Sequence, residues 1–253
     1  MPSDLPPGAP TPAGIGNCRE CAYLQGGTAE ICYRCARQTI EPLAPLDERC
    51  EVCDLPLRDD GTCGNPICSW DDRLFDWNYA IAMRSGILER AISRFKYENA
   101  RGWRVIFARV LVGFLDENFR TFRPFDLIVA SPTFLSSDEA REYDHTREVI
   151  LAAREEAQGR WPFDVDEPPS IVKTRSTPRM VGLPWRERKT VAEGELRAAL
   201  SVPDPGRVRG KGALVYDDVF TDGFTLNEVA RCLRRAGARA VCGVTLTRQP
   251  WNR

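Results

Sequence analysis

Eight of the ten cysteines in this chain lie between positions 18 and 68. They read Cys18-x2-Cys21-x10-Cys32-x2-Cys35, then Cys50-x2-Cys53-x9-Cys63-x4-Cys68. A Cys-x2-Cys pair turns tightly enough to aim both thiolates at one ion. Two such pairs about ten residues apart close a tetrahedral four-thiolate cage. A cage of four thiolates leaves no open coordination position, so two structural zinc sites are expected rather than catalytic ones. Gly26, Gly27 and the sequence Asp59, Asp60, Gly61 supply the turns within each set. Sequential pairing is the simplest assignment, and pairing across the two sets stays open. The competing assignment is a secreted disulfide framework. The first sixteen residues hold five prolines and no apolar core segment, unlike a signal peptide, and paired Cys-x2-Cys knuckles favour metal. Cys232 and Cys242 stand far away and are expected as small core residues.

With 43% hydrophobic and 28% charged residues over 253 positions, the chain can bury a core of its own. Collagen-like, coiled-coil and wholly disordered classes are excluded on composition. The longest apolar run, 105–115, is interrupted by Arg109 and is too short to span a bilayer, so a cytoplasmic protein is expected. The net charge of -1 conceals a gradient. Residues 1–70 carry 5 Lys+Arg against 10 Asp+Glu, whereas residues 170–253 carry 16 against 8. The basic third favours anionic ligands, nucleic acid or phosphorylated small molecules. The acidic cysteine-rich third, made more negative by two Zn(Cys)4 centres, repels phosphate. A scaffold or protein-contact role is expected there before DNA binding.

Along the chain, residues 1–16 are expected to form a disordered Pro/Gly-rich tail and residues 17–70 a double zinc-ribbon-like module. A helix is predicted over 78–98, from Ile81, Ile87, Leu88, Ile92 and Phe95, and a second over 103–117. Residues 126–131 read as a buried parallel strand ending at a Ser-Pro turn. A charged helix follows over 138–158. Residues 171–190 read as a basic loop holding Lys173, Arg175, Arg179, Arg186, Arg188 and Lys189, with a short helix after it over 191–200. A strand over 213–218, a helix over 225–236 and a strand over 240–246 make a βαβ unit. The fold class is therefore α/β, a parallel sheet with helices on both faces. His145 is the one histidine in the sequence, and a surface or hydrogen-bonded role is expected for it before a catalytic one.

The chemistry is concentrated between 213 and 228. A strand ends in Asp217 and Asp218, a turn carries Thr221, Asp222 and Gly223, and a helix opens with the capping-box pattern Thr225-x-x-Glu228. Free backbone N–H groups at such a helix start favour an anion. Two carboxylates at the strand end suit ribose hydroxyls or face a magnesium ion. Together they suit a molecule with a phosphate beside a polyol.

This string resembles the phosphoribosyl pyrophosphate (PRPP) loop of the type I phosphoribosyltransferases. The wider chain is similar to the ComF family of competence-associated proteins, which join a cysteine-rich zinc module to a phosphoribosyltransferase-like domain, here residues 71–253. Residues 91–97 look like that family's apolar-Lys-Tyr segment, and 126–132 like its next strand and turn. The resemblance implies Asp217 and Asp218 on the ribose 2′- and 3′-hydroxyls. It implies Thr221, Asp222, Gly223, Phe224 and Thr225 around the 5′-phosphate, and the turn from Ser131 to Ser137 beside pyrophosphate. The implied chemistry is magnesium-assisted displacement of pyrophosphate at ribose C1, with an unknown acceptor. The alternative is a catalytically silent module in DNA uptake or processing that binds single-stranded DNA or competence-type proteins. Asp222 stands where the family has Thr or Ser, and Phe224 where a small residue is common. A carboxylate beside a phosphate is repulsive unless it turns away or a cation bridges the two.

Overall fold

The computed structural model describes residues 43–135 and 142–250. The tail, the first cysteine set (Cys18, Cys21, Cys32, Cys35) and the end of the turn at Ser137 lie outside the described residues.

Among the described residues four parallel strands form the sheet: β1 (Asn78–Met83), β2 (Leu127–Ala130), β5 (Gly212–Phe220) and β6 (Ala240–Arg248), in the order β1-β6-β5-β2. In register, Leu127 faces Ala213, Ala213 faces Val241, and Gly243 faces Asn78. Each strand is close to a continuous apolar run because both faces of the sheet are covered. On one face lie α1 (Gly86–Tyr97), α2 (Trp103–Glu117) and α3 (His145–Ala157). Their Phe95, Phe107, Leu111 and Ile150 share a core with Leu214, Tyr216, Val244 and Leu246. On the other face Val215 and Val241 meet Val229 and Leu233 of α5 (Phe224–Arg235). Cys50, Cys53, Leu55, Ile67 and Phe75 join this second core, so the cysteine-rich segment covers part of the sheet. A small antiparallel pair, β3 (Val172–Lys173) and β4 (Leu200–Ser201), flanks α4 (Trp185–Val191). Among the described residues no helix is long and apolar enough to cross a membrane.

Several elements differ from expectation. Residues 78–83 are strand β1, not the start of a helix. The run NYAIAM is apolar without a clear period, so it fits either state locally. Pairing with β6 decides for strand, and α1 opens only at Gly86, whose φ is +52°. The helix predicted over 138–158 begins at His145, where the Asp144 carboxylate accepts the Arg147 N–H at 3.0 Å. The segment 171–190 is more ordered than a loop. Trp185 starts α4 and docks on Trp70, with ring centroids 6.1 Å apart, and the helical path runs on through Ala192–Leu196 to Ala199. That aromatic partner comes from a distant segment, which a local pattern cannot show. Cys242 is buried in the core, and Cys232 is half-buried at its edge.

Candidate functional site

In parallel α/β sheets the crevice for a ligand lies beyond the carboxyl ends of the strands. Asp217 and Asp218 stand at that end of β5, the strand between β6 and β2. Asp218 is buried, and its Oδ2 lies 2.7 Å from Lys96 Nζ and 3.1 Å from His145 Nε2. Lys96 comes from the last turn of α1, and His145 is the first residue of α3. Burial pushes the Asp218 carboxyl up, but the Lys96 ammonium and then His145 overcome this and hold it well below the usual carboxylate range. Asp217 is half-buried, and its carboxylate accepts the Asp218 backbone N–H at 2.8 Å and a bond from Ser131. Desolvation first, and the neighbouring Asp218 charge second, push Asp217 up to about 7. Two adjacent carboxyls are thus driven apart: one is fixed and ionised, the other is able to gain or lose a proton near neutrality. The Tyr216 hydroxyl is fully buried and has no hydrogen-bond partner among the described residues.

His145 is buried at the acid pair rather than on the surface. Its only sequence signal was its place just after the cap Asp144, before an apolar helix. The only sequence signal for Lys96 is its place in the segment 91–97. One donor atom each from His145, Asp217 and Asp218 lie within 4.8 Å of one another, close enough to surround a cation. The Lys96 ammonium already holds a positive charge on that carboxylate.

The turn after β5 brings the other expected residues together. Gly223 has φ +92°, and a Cβ there would stand 2.7 Å from Phe220 Cζ, so glycine is required on both counts. Asp222 is buried, and its Oδ2 lies 3.1 Å from Arg188 Nε on α4. Desolvation raises its carboxyl, and Arg188 opposes the rise. The carboxylate that would repel a phosphate is therefore already matched by a cation. The Phe224 ring packs against both Trp70 and Trp185, at centroid distances of 5.6 and 5.5 Å. Lys189 Nζ stands 4.4 Å from the Trp70 ring centroid. Thr221 and Thr225 stay half-buried at the rim. Of the basic segment, Arg188 and Lys189 are engaged as described, Arg175 is exposed with its Nη2 3.5 Å from Glu195 Oε2, and Arg179 and Arg186 are exposed.

Cys50, Cys53, Cys63 and Cys68 converge so that their sulfurs all lie within 4.8 Å of one another. The first knuckle closes through Asp54 N–H to Cys50 O at 2.9 Å, with Asp54 at φ 58°. The second closes through the short turn Pro66–Ser69, with Cys68 N–H donating to Asn65 O at 3.1 Å. Cys53 Sγ and Cys63 Sγ stand 3.8 Å apart. Four sulfurs each about 2.3 Å from one zinc define a tetrahedron with edges of about 3.8 Å, whereas a disulfide needs about 2.05 Å. The four cysteines fit a metal such as zinc. Hydrogen bonds from the neighbouring thiols Cys50, Cys63 and Cys68 push the Cys53 thiol far below its ordinary range.

No family model and no curated protein matches the sequence. Among solved structures, the chain is similar to an allosteric regulatory enzyme of purine biosynthesis at 24% identity and a TM-score of 0.28. The overlap covers 48% of this chain and 22% of that one, so this chain spans about a fifth of that protein's length.

Proposed function

We propose that this chain binds a phosphorylated ribose of the PRPP type at the carboxyl end of β5. The observation that carries the reading is the order of groups there. A half-buried carboxyl, Asp217, precedes a left-handed glycine turn that opens the twelve-residue helix α5. Asp217 accepts a ribose hydroxyl, while the N–H groups of the turn and of the first helical turn take the 5′-phosphate. Thr221 and Thr225 add hydroxyl donors at its rim. Ser131, bonded to Asp217, carries the adjoining turn where pyrophosphate would sit. A magnesium ion bound with PRPP would offset charge on the pyrophosphate leaving group. Displacement at C1 then needs orientation and stabilisation of an oxocarbenium-like charge, which Asp217 supplies when ionised. Zinc at Cys50, Cys53, Cys63 and Cys68 is structural in this reading, with a second site at Cys18, Cys21, Cys32 and Cys35.

Calorimetry with PRPP on metal-replete protein tests the reading. Magnesium-dependent binding that is lost in Asp217→Asn is expected. No binding to the unmodified chain refutes it.

One observation favours a second reading. Asp218 is already paired with Lys96 and His145, which leaves one acid of the two for a ribose. A silent module would instead use exposed Arg175, Arg179 and Arg186 for single-stranded DNA or a competence-type partner protein. Salt-sensitive DNA binding that weakens in a triple Ala variant of these arginines is then expected.

A further inference from the structure

We propose that Arg248 is a positioning residue through which the four-cysteine centre sets the orientation of the 220–223 turn. Arg248 ends β6 and is fully buried. Its Nη1 donates to the carbonyls of Phe220 at 3.0 Å, Thr221 at 2.8 Å and Gln249 at 2.9 Å. Its Nη2 donates to Cys53 Sγ at 3.6 Å. A second bridge runs in parallel: Asn65 N–H donates to Cys63 Sγ at 3.4 Å, and Asn65 Nδ2 donates to the Asp222 carbonyl at 3.1 Å. The carbonyls of three successive residues, 220, 221 and 222, therefore accept from donors that also touch metal-ligating sulfurs, and that of Phe220 accepts the Gln249 N–H at 2.9 Å as well.

The consequence follows from peptide geometry. In a planar trans peptide the C=O and the next N–H point in opposite directions. The peptides of this turn are trans. Carbonyls 220–222, aimed at Arg248 and Asn65, turn the N–H groups of Thr221, Asp222 and Gly223 away from those two residues. Among the described residues none of those three N–H groups has a hydrogen-bond partner. A run of backbone N–H groups facing one side is an anion-binding concavity. The same contacts satisfy a guanidinium with no exposed surface, because three carbonyls and the Cys53 sulfur supply acceptors. Metal ligands and the groups hydrogen-bonded to them act as one unit, so loss of the metal frees Arg248 and Asn65, and with them the turn.

The proposal rests on a metal at Cys50, Cys53, Cys63 and Cys68, and on no ligand at the turn. Its failure is therefore separable from failure of PRPP binding. The test measures hydrogen exchange over residues 219–225 in the full chain, metal-loaded and chelator-stripped, for the unmodified protein and Arg248→Met. Stripping the unmodified chain should speed exchange in that segment by about tenfold or more, while α2 stays unchanged. In metal-loaded R248M the segment should already exchange fast, and stripping should add less than about twofold. Coupling is reciprocal, so R248M should also hold the metal about 10–100-fold more weakly against a competing chelator. A residue serving only general packing would shift exchange equally in loaded and stripped protein. Exchange at 219–225 that ignores stripping overturns the proposal, as does an R248M chain that responds as fully as the unmodified one. Should stripping open α2 as well, the loaded pair decides. A rise confined to 219–225 in R248M supports the proposal, and no rise overturns it. A chain purified with no metal at these thiolates overturns it too.

Discussion

Replacing Lys96 by Met removes the cation from the buried carboxylate at the heart of the site. Lys96 Nζ lies 2.7 Å from Asp218 Oδ2, with side-chain exposures of only 14% and 5%. At an effective dielectric constant of about 20, two unit charges at that distance attract by about 6 kcal/mol. Desolvation of both ions offsets much of this, and removing one partner of a buried pair costs about 3–5 kcal/mol. His145, 3.1 Å from the same oxygen, remains as a second partner. The expected loss is therefore near the lower end, about 3 kcal/mol, read as a shift in the midpoint of urea unfolding at unchanged slope. The pH dependence has a definite sign. Asp218 is held below the usual carboxylate range, so its contribution in the unmodified protein is full above the unfolded pKa and lost as pH falls through the folded one. Without Lys96, desolvation dominates the carboxyl, and a proton gained by Asp218 relieves the buried charge. The destabilisation by K96M should then shrink as pH falls from 8 to 5. In the Asp218→Asn background there is no carboxylate to orphan, and K96M should be close to neutral. Equal costs in the two backgrounds, within about 0.5 kcal/mol, would refute the pairing argument, as would a cost that does not change with pH.

Asp217 behaves oppositely. Its carboxyl is raised to about 7, so the native state keeps a proton that the unfolded chain has released, and stability falls as pH rises through that range. Asp217→Asn should gain on the unmodified protein by at least about 1 kcal/mol between pH 5 and 8, and a constant difference across that range would contradict the assignment. Cys63→Ser should reduce the metal content by one ion per chain in elemental analysis and lower the Tm by about 2–4 °C for each kcal/mol lost; unchanged content would exclude metal at this centre. Gly243→Ala places a methyl group against the buried Asn78 side chain and 2.7 Å from Leu226 Cδ2. It should cost about 1–3 kcal/mol in urea unfolding, and a neutral result would mean that β1 and α5 do not pack on β6 as described.

The sequence alone determined the local pieces. Cysteine spacing predicted the knuckles of the second set, which converge as a four-sulfur cluster. The strand, acid pair, glycine turn and helix between 213 and 228 were legible because each is encoded by neighbours: an apolar run, a left-handed glycine, an apolar stripe of helical period. The capping box was not formed: the helix opens at Phe224 behind Gly223 with no side-chain cap, and Glu228 instead pairs with Arg197 at 2.7 Å. Residues 78–83 were not legible, because a short apolar run takes its state from the strand it pairs with, and that strand lies some 165 residues away. Only the tertiary structure decided what each charged group of the site does. Asp218 meets Lys96 and His145, Asp222 meets Arg188, and the turn carbonyls meet Arg248 and Asn65. Every one of these partners comes from another element. Burial removes water as the alternative partner, so a charge must find its counterpart wherever packing places one, and no spacing rule along the chain records that choice.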